Sequence, residues 1–300
     1  MSTSGPGPWS PTPPGGSASG GAGGAGGDVP VCPRHPDRES YVRCQRCGRP
    51  ACPQCQRDAP VGVQCVDCVA QARREAPVVR TALGGRARGG RPVVTLTLIG
   101  SCVAVYVLQV LGGGLVERLF AFYPALAGSQ PWRYLTAAFL HAQSGLLPLH
   151  LLFNVYVLYL TGPPLEQALG RARFVALYLV SALGGSVLFQ LVWALGVGPV
   201  GSAAVGASGA VFGLFGALLV VQRRMRVPVG QIGVVVAINL GLSFVIPNVA
   251  WEAHVGGLAT GALVALVLLK EPRRPRLQVA GIALVAAVLV VLAVVATSLR

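Results

Sequence analysis

The chain has 300 residues, of which 53% are hydrophobic and 11% charged, with a mean hydropathy of +0.63. Soluble globular domains carry about 25% charged residues, so a soluble enzyme is excluded. The 24 Lys and Arg against 10 Asp and Glu give a net charge of +14, which in so apolar a chain reads as basic cytoplasmic loops and not as a nucleic-acid surface.

Residues 1–28 are Gly, Pro or Ser at 20 positions and contain no aliphatic run. Such a segment cannot bury enough apolar surface to offset its ordering entropy, so residues 1–29 are expected to form a disordered tail. With no apolar h-region and no basic n-region, it is not a signal peptide.

Residues 30–70 hold seven of the eight Cys. They fall into two-residue-spaced pairs: Cys32 with His35, Cys44 with Cys47, Cys52 with Cys55 and Cys65 with Cys68. This spacing lets both side chains of a tight knuckle reach one tetrahedral zinc. Eight ligands make two closed sites, and the short gap between the second and third pairs favours interleaving. The expected sets are Cys32, His35, Cys52, Cys55 and Cys44, Cys47, Cys65, Cys68. Neither has an open position for water, so the two Zn2+ are structural, and none is expected for catalysis. Disulfides suit an odd seven Cys and a reducing compartment poorly. So small a domain has too little core to fold alone, and metal supplies the missing stability. The pattern resembles a B-box-type zinc module, which implies an accessory that contacts a cytosolic partner or lipid.

Residues 71–92 read as a basic linker with six Arg against Glu75. Seven later stretches are apolar enough to span a core about 30 Å thick, near 93–111, 149–162, 173–196, 206–222, 228–247, 251–269 and 278–298. The expected fold is an all-α membrane bundle, six spans over 93–270 and a seventh within 271–300. Between the first two spans, 112–148 reads as a loop partly embedded in the membrane interface. Lys and Arg concentrate before the first span and after the second, fourth and sixth. The positive-inside rule then puts the N-terminus and the Cys-rich module in the cytoplasm and the C-terminus outside.

Polar groups inside spans are costly and usually functional. His150 and Asn154 share one helical face at i, i+4, Ser208 lies in GASGA, and His254 lies in AHVGG. The topology puts all four at similar depth just below the outer surface. A Ser hydroxyl becomes nucleophilic when a His takes its proton. Gly206 and Gly209 clear room for a substrate backbone, and the N-terminal N–H groups of the fourth span, with His150 and Asn154, suit an oxyanion. Glu252 cannot face His254 from two residues away, so a Ser–His dyad is expected. No Asp follows Asp67, and HExxH is missing, which excludes intramembrane aspartyl and HExxH zinc proteases. Ser208 also reads as a small packing residue, since Gly209-x-x-x-Gly213 and Gly257-x-x-x-Gly261 suit close helix contact. His141 reads as a structural loop residue, and Asn239 as an interhelical hydrogen-bonder.

Trp132–Arg133, the HxxxN of 150–154, GASGA and HVGG, in that order on alternating spans, resemble the rhomboid family of intramembrane serine proteases over roughly residues 93–270. The resemblance implies a six-helix core that cleaves transmembrane proteins in the bilayer through an acyl-enzyme. It implies Ser208 as nucleophile, His254 as general base, and His150 and Asn154 as oxyanion donors. It also implies that Glu166, in the stretch after the second span, braces the long first loop; by itself the residue reads equally as a solvated charge at the cytoplasmic edge. Trp132 and Arg133 read first as an interfacial anchor. The competing expectation is a proteolytically silent membrane adaptor that binds transmembrane clients; a transporter would call for inverted repeats, and the chain shows no such symmetry.

Overall fold

The computed structural model describes residues 29–76, 81, 91–143, 148–197, 203–272 and 274–299. The Gly/Pro/Ser-rich tail through residue 28 lies outside the described residues, as does the basic linker apart from 71–76, 81, 91 and 92. Arg273 and Arg300 lie outside them too. The chain divides into two units, residues 1–77 and 78–300.

The first unit has two antiparallel ribbons. Strand β1 (Val31–Cys32) pairs with β2 (His35–Glu39), and β3 (Gln56–Asp58) pairs with β4 (Val63–Cys65) in the register Gln56 to Cys65. Helix α1 (Val66–Glu75) follows directly, with Cys65 as N-cap accepting from the Cys68 N–H. The helix continues five residues into the stretch expected to be linker, because Ala70–Glu75 are mostly strong helix formers. Its buried apolar cluster consists of Cys32, Cys44, Ala51, Cys52, Cys55, Cys65 and Cys68. Among the described residues nothing as large as Leu closes it, so burial alone supplies little stability.

The second unit is helical. Helix α2 (Val93–Leu111) leads into a long connection carrying the short helices α3 (Leu115–Phe120) and α4 (Arg133–Thr136). Six long helices follow: α5 (Leu149–Leu169), α6 (Arg171–Ala194), α7 (Ser208–Arg224), α8 (Gly230–Val245), α9 (Trp251–Lys270) and α10 (Pro275–Ser298). They occupy the seven stretches read as spans, together with α2. Among the described residues, α2, α6, α9 and α10 are long and apolar enough to cross a bilayer. Helix α5 runs past the expected end at residue 162, through Pro163 and Pro164, to Leu169.

Helix α7 is the centre of the bundle, with every residue from Gly209 to Ala217 buried. Lipid tails are as apolar as Leu, so helices here associate through close van der Waals packing. The two small-residue faces meet as the spacing suggests. A methyl group on Gly257 of α9 would lie 2.7 Å from the Gly209 carbonyl carbon, and one on Gly261 would lie 2.5 Å from that of Gly213. On the other side, a methyl on Gly185 of α6 would lie 2.7 Å from the Ala253 oxygen. Helices α6, α7 and α9 therefore touch backbone to backbone, which fixes what their N-terminal and C-terminal turns present.

Candidate active site

Ser208 is the first residue of α7 and His254 the fourth of α9. The glycine seam starts one residue beyond Ser208, so it sets the separation of the two side chains. His254 Nε2 lies 2.8 Å from Ser208 Oγ. At that distance an imidazole can take the hydroxyl proton, and the residue carrying it is 8% exposed, which keeps bulk water from competing. The Phe212 ring, one turn after Ser208, stacks on the imidazole with centroids 4.3 Å apart and planes inclined by 13°. The opposite ring nitrogen, Nδ1, is 2.6 Å from Ser243 Oγ on α8.

The expected dyad thus has a third group in contact. Sequence reasoning misses Ser243 because a single hydroxyl in an apolar span reads as local backbone bonding. Phe212 carries a weak signal, its i+4 spacing from Ser208.

His150 sits near the start of α5, and the Ala142 N–H donates to its Nδ1 at 3.0 Å. A nitrogen that accepts carries no proton, so the ring hydrogen is on Nε2. That nitrogen faces Gly206: a methyl there would lie 2.9 Å from His150 Nε2 and 3.5 Å from Ser208 Oγ. Gly206 also has φ of +131°, where L side chains are strained. Only Gly satisfies both constraints. The segment is held in place by two backbone ties, Gly206 N–H to Ala137 O and the Phe122–Ala204 bridge.

Asn154 is buried on the same helix face as His150, and its Nδ2 donates to the His150 carbonyl at 2.8 Å, which commits one of its two amide hydrogens. Gly209 takes the close-packing place that its spacing from Gly213 suggests. A methyl there would meet the Ala253 carbonyl oxygen at 3.3 Å, so its bare backbone admits α9 as well as leaving room beside Ser208.

The remaining expected residues are supports. Trp132 is half-exposed and donates through Nε1 to Leu119 O at 3.3 Å. Arg133 is not an interfacial anchor: it is 2% exposed, and its guanidinium donates to Gln130 Oε1 and to the carbonyls of Ala121 and Arg118. One planar fork thereby closes the long first loop on itself. Among the described residues Glu166 meets α2, and Arg171 at 3.9 Å, and not that loop. It accepts from Val94 N–H at 3.0 Å and from Thr95 N–H and Oγ1 at 2.8 Å each. Because α5 stays helical to Leu169, Glu166 lies at the opposite helix end from His150. There it caps the unpaired N–H groups of α2 and opposes the positive end of its dipole.

His141 is a buried loop residue whose backbone N–H and C=O both pair with the Gln109 side chain of α2, at 2.9 and 3.0 Å. Burial pushes its imidazole down to about 4, so the ring is neutral at physiological pH. Among the described residues Asn239 bonds within α8, to Val235 O, and not across helices.

In the first unit the ligand atoms form the interleaved groups Cys32, His35, Cys52, Cys55 and Cys44, Cys47, Cys65, Cys68, each with all atoms within 4.8 Å of one another. Thiolates about 2.3 Å from a tetrahedral zinc stand roughly 3.7 Å apart. His35 Nδ1 is 3.3 Å from the Cys52 and Cys55 sulfurs and 3.9 Å from Cys32, and Cys47 is 3.8 Å from Cys65. The donor sets therefore fit a metal ion. Backbone donation from Cys52 holds the Cys32 thiol down to about 6, and the Arg49 guanidinium lowers that of Cys47, both favouring the thiolate that metals bind, whereas burial pushes the Cys55 thiol up to about 11.

Comparison with known proteins matches a rhomboid domain over residues 128–271. The chain is similar to RHOMBOID-like protein 4 of Arabidopsis thaliana, 37% identical over 172 residues, covering 55% of this chain and 39% of that one. It is similar to Rhomboid protease GluP of Bacillus subtilis (strain 168), 34% identical over 192 residues, 60% of this chain and 36% of the relative. A third similarity is to Putative rhomboid protease YdcA of the same organism, 30% identical over 188 residues, which cover 60% of this chain and 90% of the relative. The chain spans well under half the length of the first two relatives and nearly all of the third.

Proposed function

Because this chain belongs to the rhomboid family of multi-pass intramembrane serine proteases, we propose that it is an active endopeptidase. It hydrolyses a peptide bond of transmembrane proteins near the extracytoplasmic face, with Ser208 as nucleophile and His254 as general base. The observation that carries this reading is the 2.8 Å approach of His254 Nε2 to Ser208 Oγ from two different helices.

The chemistry follows from the groups at hand. His254 Nε2 removes the Ser208 proton as Oγ attacks the substrate carbonyl carbon. The resulting oxyanion meets His150 Nε2–H, the Ser208 backbone N–H at the open first turn of α7, and the uncommitted amide hydrogen of Asn154. His254 then gives its proton to the departing amine, which leaves an acyl ester on Ser208. Water, deprotonated by the same nitrogen, hydrolyses that ester and frees the hydroxyl.

In this reading all seven long helices cross the bilayer, residues 93–270 are the protease core and 271–300 an added helix. The basic connections, including Arg171, Arg173, Arg223, Arg224, Arg226 and Lys270, face the cytoplasm. The first unit lies there too. Its two groups of four ligands would each hold a structural Zn2+, which supplies a tetrahedral cross-link in place of a hydrophobic core. It serves as an accessory module for a cytosolic partner.

Replacing Ser208 with Ala in the full chain, reconstituted in liposomes with a model transmembrane substrate, is expected to abolish cleavage. Cleavage at the unmodified rate would defeat the protease reading. If neither form cleaves any transmembrane substrate yet both bind one, the silent adaptor takes its place.

A further inference from the structure

We infer that Ser243 is a positioning residue that selects the catalytic tautomer of His254, completing a Ser208–His254–Ser243 relay across three helices. This rests on the protease reading above. Ser243 is 4% exposed, on a helix whose only other buried residue is Val236. Its Oγ makes two contacts. It donates to the Asn239 carbonyl, one turn back on α8, at 2.8 Å, and it lies 2.6 Å from His254 Nδ1.

A hydroxyl has one hydrogen. With that hydrogen committed to the Asn239 carbonyl, which can only accept, Ser243 meets Nδ1 with a lone pair. In this assignment Nδ1 carries the ring proton and donates to Oγ across the 2.6 Å contact, whose direction follows the tautomer. The other nitrogen, Nε2, is then the bare acceptor that faces the Ser208 hydroxyl 2.8 Å away. In the opposite tautomer Nε2–H would point at Ser208, and the general base would be lost. When Nε2 takes the Ser208 proton, the imidazolium still donates Nδ1–H to the neutral Oγ, so no proton moves to Ser243. Phe212 fixes the plane of the ring and cannot distinguish its two nitrogens. Ser243 makes that distinction, and it does so from α8, so the base is correctly set only while α8 lies against α9.

The test uses the full chain in lipid nanodiscs with Ser243→Ala, Ser243→Val and Ser243→Thr. Two quantities are measured: the rate at which a small fluorophosphonate labels Ser208, and the side-chain 15N shifts of His254. The sequence has four His, so 15N-histidine labelling gives an assignable set. Wild type is expected to show Nδ1 protonated and Nε2 bare. Ser243→Ala and Ser243→Val are expected to slow labelling by about 2- to 10-fold, the effect of losing one neutral hydrogen bond, and to move the shifts toward a tautomer mixture. Ser243→Thr, the same shape as Val with the hydroxyl kept, is expected to restore both.

An unprotonated Nδ1 in the wild type would overturn the assignment without any variant. So would Thr behaving like Val, or Ala labelling at the wild-type rate while Ser208→Ala is inert. If Ser208→Ala still cleaves substrate, the protease reading fails first and the relay with it.

Discussion

The backbone contact between α7 and α9 sets the reach of His254, and Gly257→Ala tests that directly. The added methyl would run into the Gly209 carbonyl oxygen and stand 2.7 Å from that carbonyl's carbon and 3.1 Å from the Gly209 Cα, with no flexible side chain able to yield. Non-bonded carbons settle at about 3.5–4.0 Å, so the carbon contact alone parts the two helices by roughly 1 Å at this level, and the closer oxygen adds to that. Ser208 precedes Gly209 and His254 lies one turn before Gly257, so the displacement is passed to the 2.8 Å contact. It would lengthen to at least about 3.8 Å, outside the roughly 2.6–3.2 Å reach of a general base. A misplacement of this size costs about 100-fold in rate. Overpacking also destabilises, by about 1–3 kcal/mol, so folded protein is quantified by thermal unfolding in micelles and kcat is referred to it. Gly100→Ala is the matched control, because nothing lies within 4 Å of the methyl it would add on α2. A folded Gly257→Ala enzyme cleaving a model transmembrane substrate within twofold of the control would refute the account of how the seam sets the site.

Two further outcomes are expected. Elemental analysis of the purified chain should find two zinc per molecule, and Cys55→Ala should retain one; metal-free protein with paired thiols would reverse the zinc assignment. Glu166→Ala removes the acceptor of two α2 backbone N–H groups and of the Thr95 hydroxyl, which is fully buried. It should lower stability by about 2–4 kcal/mol, and Glu166→Gln by less, read from denaturant titration in micelles; equal stability of Ala and wild type would remove the capping role.

The local chemistry of this chain is written in spacing that survives without a fold. Ligand pairs two residues apart, a His and an Asn one helical turn apart, and long apolar stretches separated by alternately basic connections are properties of neighbours along the chain. Hence the helical class, the eight ligand residues and the four polar groups of the candidate site are legible before any coordinate. What the fold alone decides is which distant groups touch. Ser243 bonds to His254 because α8 lies beside α9, and a lone hydroxyl in an apolar helix carries no mark of that. Arg133 looks like a surface anchor until the loop closes around its guanidinium. Glu166 changes partner because α5 stays helical through two prolines, carrying the carboxylate to the start of α2. The separation of Ser208 and His254 belongs to the same class, since paired glycines announce close contact, and only the packed helices fix its register.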